Sequence, residues 1–197
     1  MPYRPRPEPP ESRSLRRKNV GGFQVTEALH PAGARLPRHA HEGPTICCVL
    51  QGAFQEESGG GTVTCTPRTL KVTPAGDPHS NYFDMSDAHG LMIEVEASGV
   101  ERLRPHAELL ADRLMVQGGP LAALALRIRR ELQETDEAAP LALEGLLLEL
   151  IAQAERRHHT GPEGTAPWLQ RARDLLHDDP AGRHTLSTIA GEVDVHP

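Results

Sequence analysis

The chain has 197 residues, 38% of them hydrophobic and 24% charged, enough for one or two globular domains with cores of their own. Aromatic residues make up only 3% and the net charge is −6, which argues against stacking platforms for single-stranded nucleic acid and against a phosphate-binding surface on most of the chain. Unbroken apolar runs such as Leu121–Leu126 are far too short to cross a bilayer, so no membrane partner is expected. The basic N-terminus lacks an apolar segment behind it, and the chain reads as cytoplasmic. Cys47, Cys48 and Cys65 are expected as free thiols, and the adjacent pair on a strand would point to opposite faces.

In chain order, residues 1–18 are Pro-rich and charged and predict a disordered basic arm. Residues 19–98 carry short β-branched or alternating runs, at Phe23–Leu29, Thr45–Phe54, Thr62–Thr66, Thr69–Thr73 and Leu91–Val95, separated by Gly- and Pro-rich turns. This spacing predicts a small sandwich or barrel. Over residues 99–159 the period becomes helical. Leu121, Leu124, Ile128 and Leu132 form one stripe, and a second helix opening at Pro140 carries Leu143, Leu147, Leu150 and Ala154. Leu146, Leu148 and Ile151 widen that second stripe beyond what one neighbour easily covers, which leaves room for a second subunit. Residues 160–166 read as a linker. Residues 167–197 predict a helix from Pro167 and a short one marked by Leu186, Ile189, Ala190 and Val193.

The chemical signal is histidine. His39 and His41 stand at i and i+2 on an extended segment and share a face, while the turn Pro74-Ala75-Gly76-Asp77-Pro78 would return His79 from a distant strand. Three imidazoles at one point can bind a small ligand by hydrogen bonds or hold a divalent ion such as zinc, iron or manganese with open positions. Gly33, His39, His41 and Gly52, followed by Pro74, Gly76 and His79, are spaced as in the two motifs of the cupin superfamily, which this stretch resembles. Thr45 stands where that family has a glutamate ligand, and Arg68 where it has a glycine. The resemblance implies a double-stranded β-barrel.

Leu186, Ile189, Ala190 and Val193, then Val195, His196 and Pro197, resemble the first helix and turn of the helix-turn-helix of AraC-family regulators, with Asp194 in place of a glycine. The resemblance implies a mainly β plus α chain: a cupin barrel, a helical hairpin and a partial helix-turn-helix, cut short before a recognition helix. It further implies the effector-sensing and dimerisation part of an AraC-like transcription regulator. That part is not an enzyme, binds a small molecule through His39, His41 and His79, forms a homodimer, and meets DNA only in a full-length form. The alternative is a cupin metalloenzyme, an oxygenase or sugar isomerase, with the same three histidines on the metal.

Overall fold

A sheet covered on both faces by different layers needs strands whose alternate side chains suit each layer, and this chain supplies them. The structure, a computed structural model, describes residues 11–83, 86–160, 168, 171–172, 175–176, 184–193 and 195, with the backbone alone at 107, 159 and 160. The strands are β1 (Arg13–Val20), β2 (Phe23–His30), β3 (Ala34–His39), β4 (Thr45–Gln51), β5 (Phe54–Ser58), β6 (Gly61–Cys65), β7 (Thr69–Thr73), β8 (His79–Phe83), β9 (Ala88–Val95) and β10 (Leu114–Gln117). The helices are α1 (Ala97–Arg102), α2 (Ala107–Ala111), α3 (Gly119–Glu131), α4 (Ala139–Thr160) and α5 (Leu186–Glu192).

The strands form two antiparallel sheets, ordered β1-β2-β9-β4-β7-β10 and β3-β8-β5-β6. In the larger sheet Phe23, Val25, Ile46, Cys48, Leu70, Val72, Leu91, Ile93 and Val95 face one way, into a core shared with Leu121, Leu124 and Ile128 of α3 and Leu143, Leu147 and Leu150 of α4. The alternate residues, including Thr26, Ala28, Cys47, Val49, Lys71 and Met92, face the interior between the sheets. There a smaller cluster of Ala34, Val49, Phe54, Cys65, Phe83 and Ala88 ties the sheets together. Cys47 and Cys48 fall on opposite faces, as the period of two requires, and all three cysteines are free. No helix among the described residues is long and apolar enough to cross a membrane.

The helices start where the local chemistry favours them. Pro120 occupies the first turn of α3, where its missing N–H costs nothing. The Asp136 carboxylate accepts from the Ala138 and Ala139 amides at 2.9 and 2.8 Å and anchors the start of α4. The broad stripe of α4 is consumed within the chain, because Leu143, Leu146, Leu147, Leu150, Ile151 and Ala154 are all buried. Leu126 and Leu141 remain exposed on the two helices.

Three expectations are revised. Residues 13–18, read as the end of a disordered arm, belong to β1, an edge strand whose charges face solvent and whose backbone pairs with β2. Its hairpin is closed by Gly21 and Gly22, both at positive φ (57° and 85°), as a two-residue turn between Val20 and Phe23 demands. Within the span read as helical, Leu114–Gln117 instead extends the sheet as β10, against β7. The run Thr45–Phe54 is two strands, broken where Gly52 turns at φ 71°.

The chain divides into two compact units, residues 1–156 and 157–197. In the second, Thr185 and Thr188 close a reciprocal capping box at the start of α5. Ala190 of α5 and Val193 just after it are buried, whereas Leu186, expected on the apolar face, is exposed. Of the linker expected at 160–166, Thr160 instead ends α4 and residues 161–166 lie outside the described residues, as do most of the helix expected after Pro167, residues 1–10, His196 and Pro197.

Each motif glycine has a conformational reason. Gly33, Gly52 and Gly76 all have positive φ (84°, 71° and 71°), and a Cβ on Gly52 would stand 2.0 Å from the Asp87 carbonyl oxygen. Arg68, in the position of the missing motif glycine, adopts the same left-handed backbone at φ 72° despite its side chain. Arg68→Gly is therefore expected to raise stability by about 1 kcal/mol, while Gly52→Ala lowers it by at least about 2 kcal/mol. Urea unfolding of the two variants checks the opposite signs.

Candidate functional site

The register of β3 and β8 sets His39 directly opposite His79. His41 follows two residues after His39, and the amide of Gly76 donates to its carbonyl at 2.9 Å, so one backbone bond clips the loop bearing His41 to the turn that presents His79. The three predicted histidines are thereby brought together, with one ring nitrogen of each within 4.8 Å of the others.

Their tautomers follow from their partners. Nδ1 of His39 lies 2.7 Å from the Pro37 carbonyl, and Nδ1 of His79 lies 3.1 Å from the Asp77 carbonyl. A carbonyl only accepts, so each Nδ1 carries the proton and each Nε2 keeps a free lone pair. Nδ1 of His41 donates to Glu94 Oε1 at 3.0 Å with the same result. Burial, the largest influence on His79, pushes its pKa below the usual imidazole value of about 6.5, keeping it neutral near pH 7. Three imidazoles, each oriented through its second nitrogen, could hold a metal ion, with outer hydrogen bonds already in place. Glu94 was not foreseen, because its link to His41 crosses 53 residues. Thr45 is the Cα partner of Glu94 across β4 and β9, so a carboxylate does stand beside the missing ligand position, engaged with an imidazole.

The histidines line one end of a cavity of about 300 Å³ between the sheets, at the small end of the range for ligand pockets. Leu36, Val49, Phe54, Phe83 and Met92 give it apolar walls. His30 stacks on Phe83 with ring centroids 4.3 Å apart, and burial lowers its pKa as well. Lys71 of β7 and Glu56 of β5 form a buried ion pair that bridges the two sheets across this interior. The inward alternation of Thr69, Lys71 and Thr73 against Leu70 and Val72 was the available signal for Lys71, since a lysine inside a buried strand must find a carboxylate. Cys47 also lines the cavity, but its thiol is pushed up by burial, and those of Cys48 and Cys65 are pushed up to about 12, which leaves them unreactive.

A second charge cluster connects the cavity wall to the helices. Glu27, fully buried on β2, accepts from Arg16 of β1 at 3.0 Å and from Arg129 of α3 at 2.8 Å. His89, which lines the cavity, places Nε2 2.8 Å from the same carboxylate, though without the alignment of a hydrogen bond. Burial alone would raise the Glu27 pKa, but the Arg129 and Arg16 hydrogen bonds outweigh it and hold the carboxyl below its usual value.

The chain matches the sequence pattern of the AraC-like ligand binding domain over residues 23–151. No curated protein matches it. Among solved structures, the AraC-like transcriptional activator CuxR is similar with a TM-score of 0.53 at 17% identity, over 91% of this chain and 69% of that one. A cupin superfamily protein from Desulfitobacterium hafniense gives 0.41 at 15% identity, over 46% of this chain and 83% of its own. A cupin domain from Bordetella pertussis gives 0.40 at 21% identity, over 46% of this chain and 98% of its own. The CuxR likeness bears on fold alone and agrees with a cupin-type barrel followed by helices.

The ionised Glu27 stabilises the fold fully above the usual glutamate pKa of about 4.3, and this contribution is lost as pH falls through its lower folded value. Glu27→Gln is expected to cost about 1–2 kcal/mol at pH 7, since Arg16 and Arg129 both stay partly in solvent, and to flatten the acid limb of the stability curve. Denaturant unfolding of both proteins from pH 7 to pH 3 measures the difference.

Proposed function

Because the chain belongs to the family of AraC-like ligand-binding domains, we propose that its barrel is the effector-binding part of an AraC-like transcription regulator and not an enzyme. The observation that carries this reading is the cavity between the sheets, where apolar walls surround His39, His41, His79 and the Glu56–Lys71 pair. A few polar groups in an apolar hollow recognise a small molecule by orientation as well as by size. The contacts of His89 and Arg129 with Glu27 supply a physical link from the cavity wall to α3. A ligand that shifts β9 at His89 would change how the carboxylate holds the helix, provided it binds the two arrangements with different affinity. A homodimer would use the exposed faces around Leu126 and Leu141, and contact with DNA belongs to a full-length form of the regulator.

The donor set supports a divalent ion held by Nε2 of His39, His41 and His79, with zinc, iron or manganese as the candidates. Bound there, the ion would polarise an oxygen of the effector. The same arrangement favours a second reading, a cupin metalloenzyme, distinguished by turnover that disappears when the metal is removed.

Chelator-treated protein refilled with zinc, iron or manganese is expected to retain about one equivalent of metal by elemental analysis. His79→Ala abolishes the binding, and Glu94→Ala weakens it by about 10–100-fold because the His41 ring loses its outer partner. Less than about a tenth of an equivalent in the refilled protein means that the histidines meet the effector directly. The effector reading itself is tested by thermal shift against a broad set of small metabolites, with His79→Ala removing any response.

A further inference from the structure

Among the described residues up to 156, the buried side-chain atoms without a hydrogen-bond partner are Thr26 Oγ1, Glu56 Oε1, Asn81 Oδ1 and His89 Nε2. Thr26, Glu56 and Asn81 line the barrel cavity, while His89 Nε2 lies against the Glu27 carboxylate. Glu56 and Asn81 are directly opposite each other on β5 and β8, so their two side chains share one wall. A buried acceptor without a donor is costly, and the donors missing here are ones a ligand can bring.

The mouth carries the complementary signal. Arg13 and Arg17 of β1 line the same cavity, and neither guanidinium has an ion pair or hydrogen bond among the described residues. Their neighbour Arg16 is spent on Glu27. The division of labour comes from an irregularity in β1: Ser14 pairs with Ala28 but Arg16 with Glu27, leaving Leu15 as an extra residue. This bulge turns Arg17 toward the cavity beside Thr26 and Arg16 toward the helices.

We propose that the cavity takes a small hydroxylated organic anion, its acidic group at Arg17 and Arg13 and its hydroxyl donors on Glu56 and Asn81. This assignment rests on the effector-binding reading above. A cation would meet Arg17 at the mouth and a Glu56 carboxylate already balanced by Lys71. A plain fatty acid would leave the two acceptor oxygens buried and unsatisfied. A neutral polyol would leave both guanidinium groups unused.

Calorimetric titration of the full chain with gluconate, a hexose monophosphate, glucose and hexanoate tests the assignment. Gluconate or the sugar phosphate is expected to bind at least about tenfold more tightly than glucose or hexanoate, and the better of the two identifies the acid group. Arg17→Ala, at an exposed position, should bring that ligand to the level of glucose, and Asn81→Ala to the level of hexanoate. Glu56→Gln strands Lys71 and can unfold the barrel, so the first two variants carry the test. Glucose or hexanoate binding as tightly as the acids, or an Arg17→Ala protein that keeps full affinity, overturns the proposal. Binding of none of the four probes also overturns it. In any of these cases, a neutral or cationic metabolite that stabilises the protein in the broad thermal-shift set leaves the effector-binding reading standing. If that set is silent as well, both fall.

Discussion

The larger sheet has hydrocarbon helices on one face and a polar-lined hollow on the other, so each of its strands can sit in only one register. Sliding β7 by one residue would carry Lys71 into the leucine-rich core and Leu70 into the cavity, stranding a charge and losing apolar burial together. The same constraint acts on β2, where Glu27 faces the helices and Thr26 the hollow. The barrel interior can be polar because the outer core, built with α3 and α4, supplies most of the apolar burial. The site therefore rests on the helices although its histidines are carried by β3, β8 and the loop after β3.

Much of this was legible in the chain. The spacing from Gly33 to His41 and from Pro74 to His79 carries the barrel and its three imidazoles, because turn glycines and ligand histidines are tied to fixed positions along a strand. The leucine stripes of α3 and α4 were equally plain. What stayed hidden depends on strand pairing across long separations. Glu94 meets His41, and Glu56 meets Lys71, only after β4, β5, β7 and β9 have found their neighbours. β1 was hidden for a different reason: an edge strand needs only one partner's backbone and keeps its charges in water, so its composition is that of a solvated tail. β10 is four residues long and carries no periodic signal of its own.

The departures from the cupin pattern have separate physical costs. At Arg68 the cost is conformational, a side chain carried through a backbone shape that favours glycine. At Thr45 it is chemical, since a hydroxyl replaces a carboxylate beside the three rings. The neighbouring Glu94 does not fill that vacancy but orients His41. The three rings could hold a metal ion, and the nearby carboxylate is engaged with one of them rather than pointing at the same place.

The extra residue in β1 sets the direction of the side chains on either side of it. Which arginine lines the hollow and which braces the helices is decided by where the kink falls between the adjacent Arg16 and Arg17 and the residues before them. Moving that kink by one residue in this chain would exchange the two arginines' directions and leave every residue of the other strands untouched.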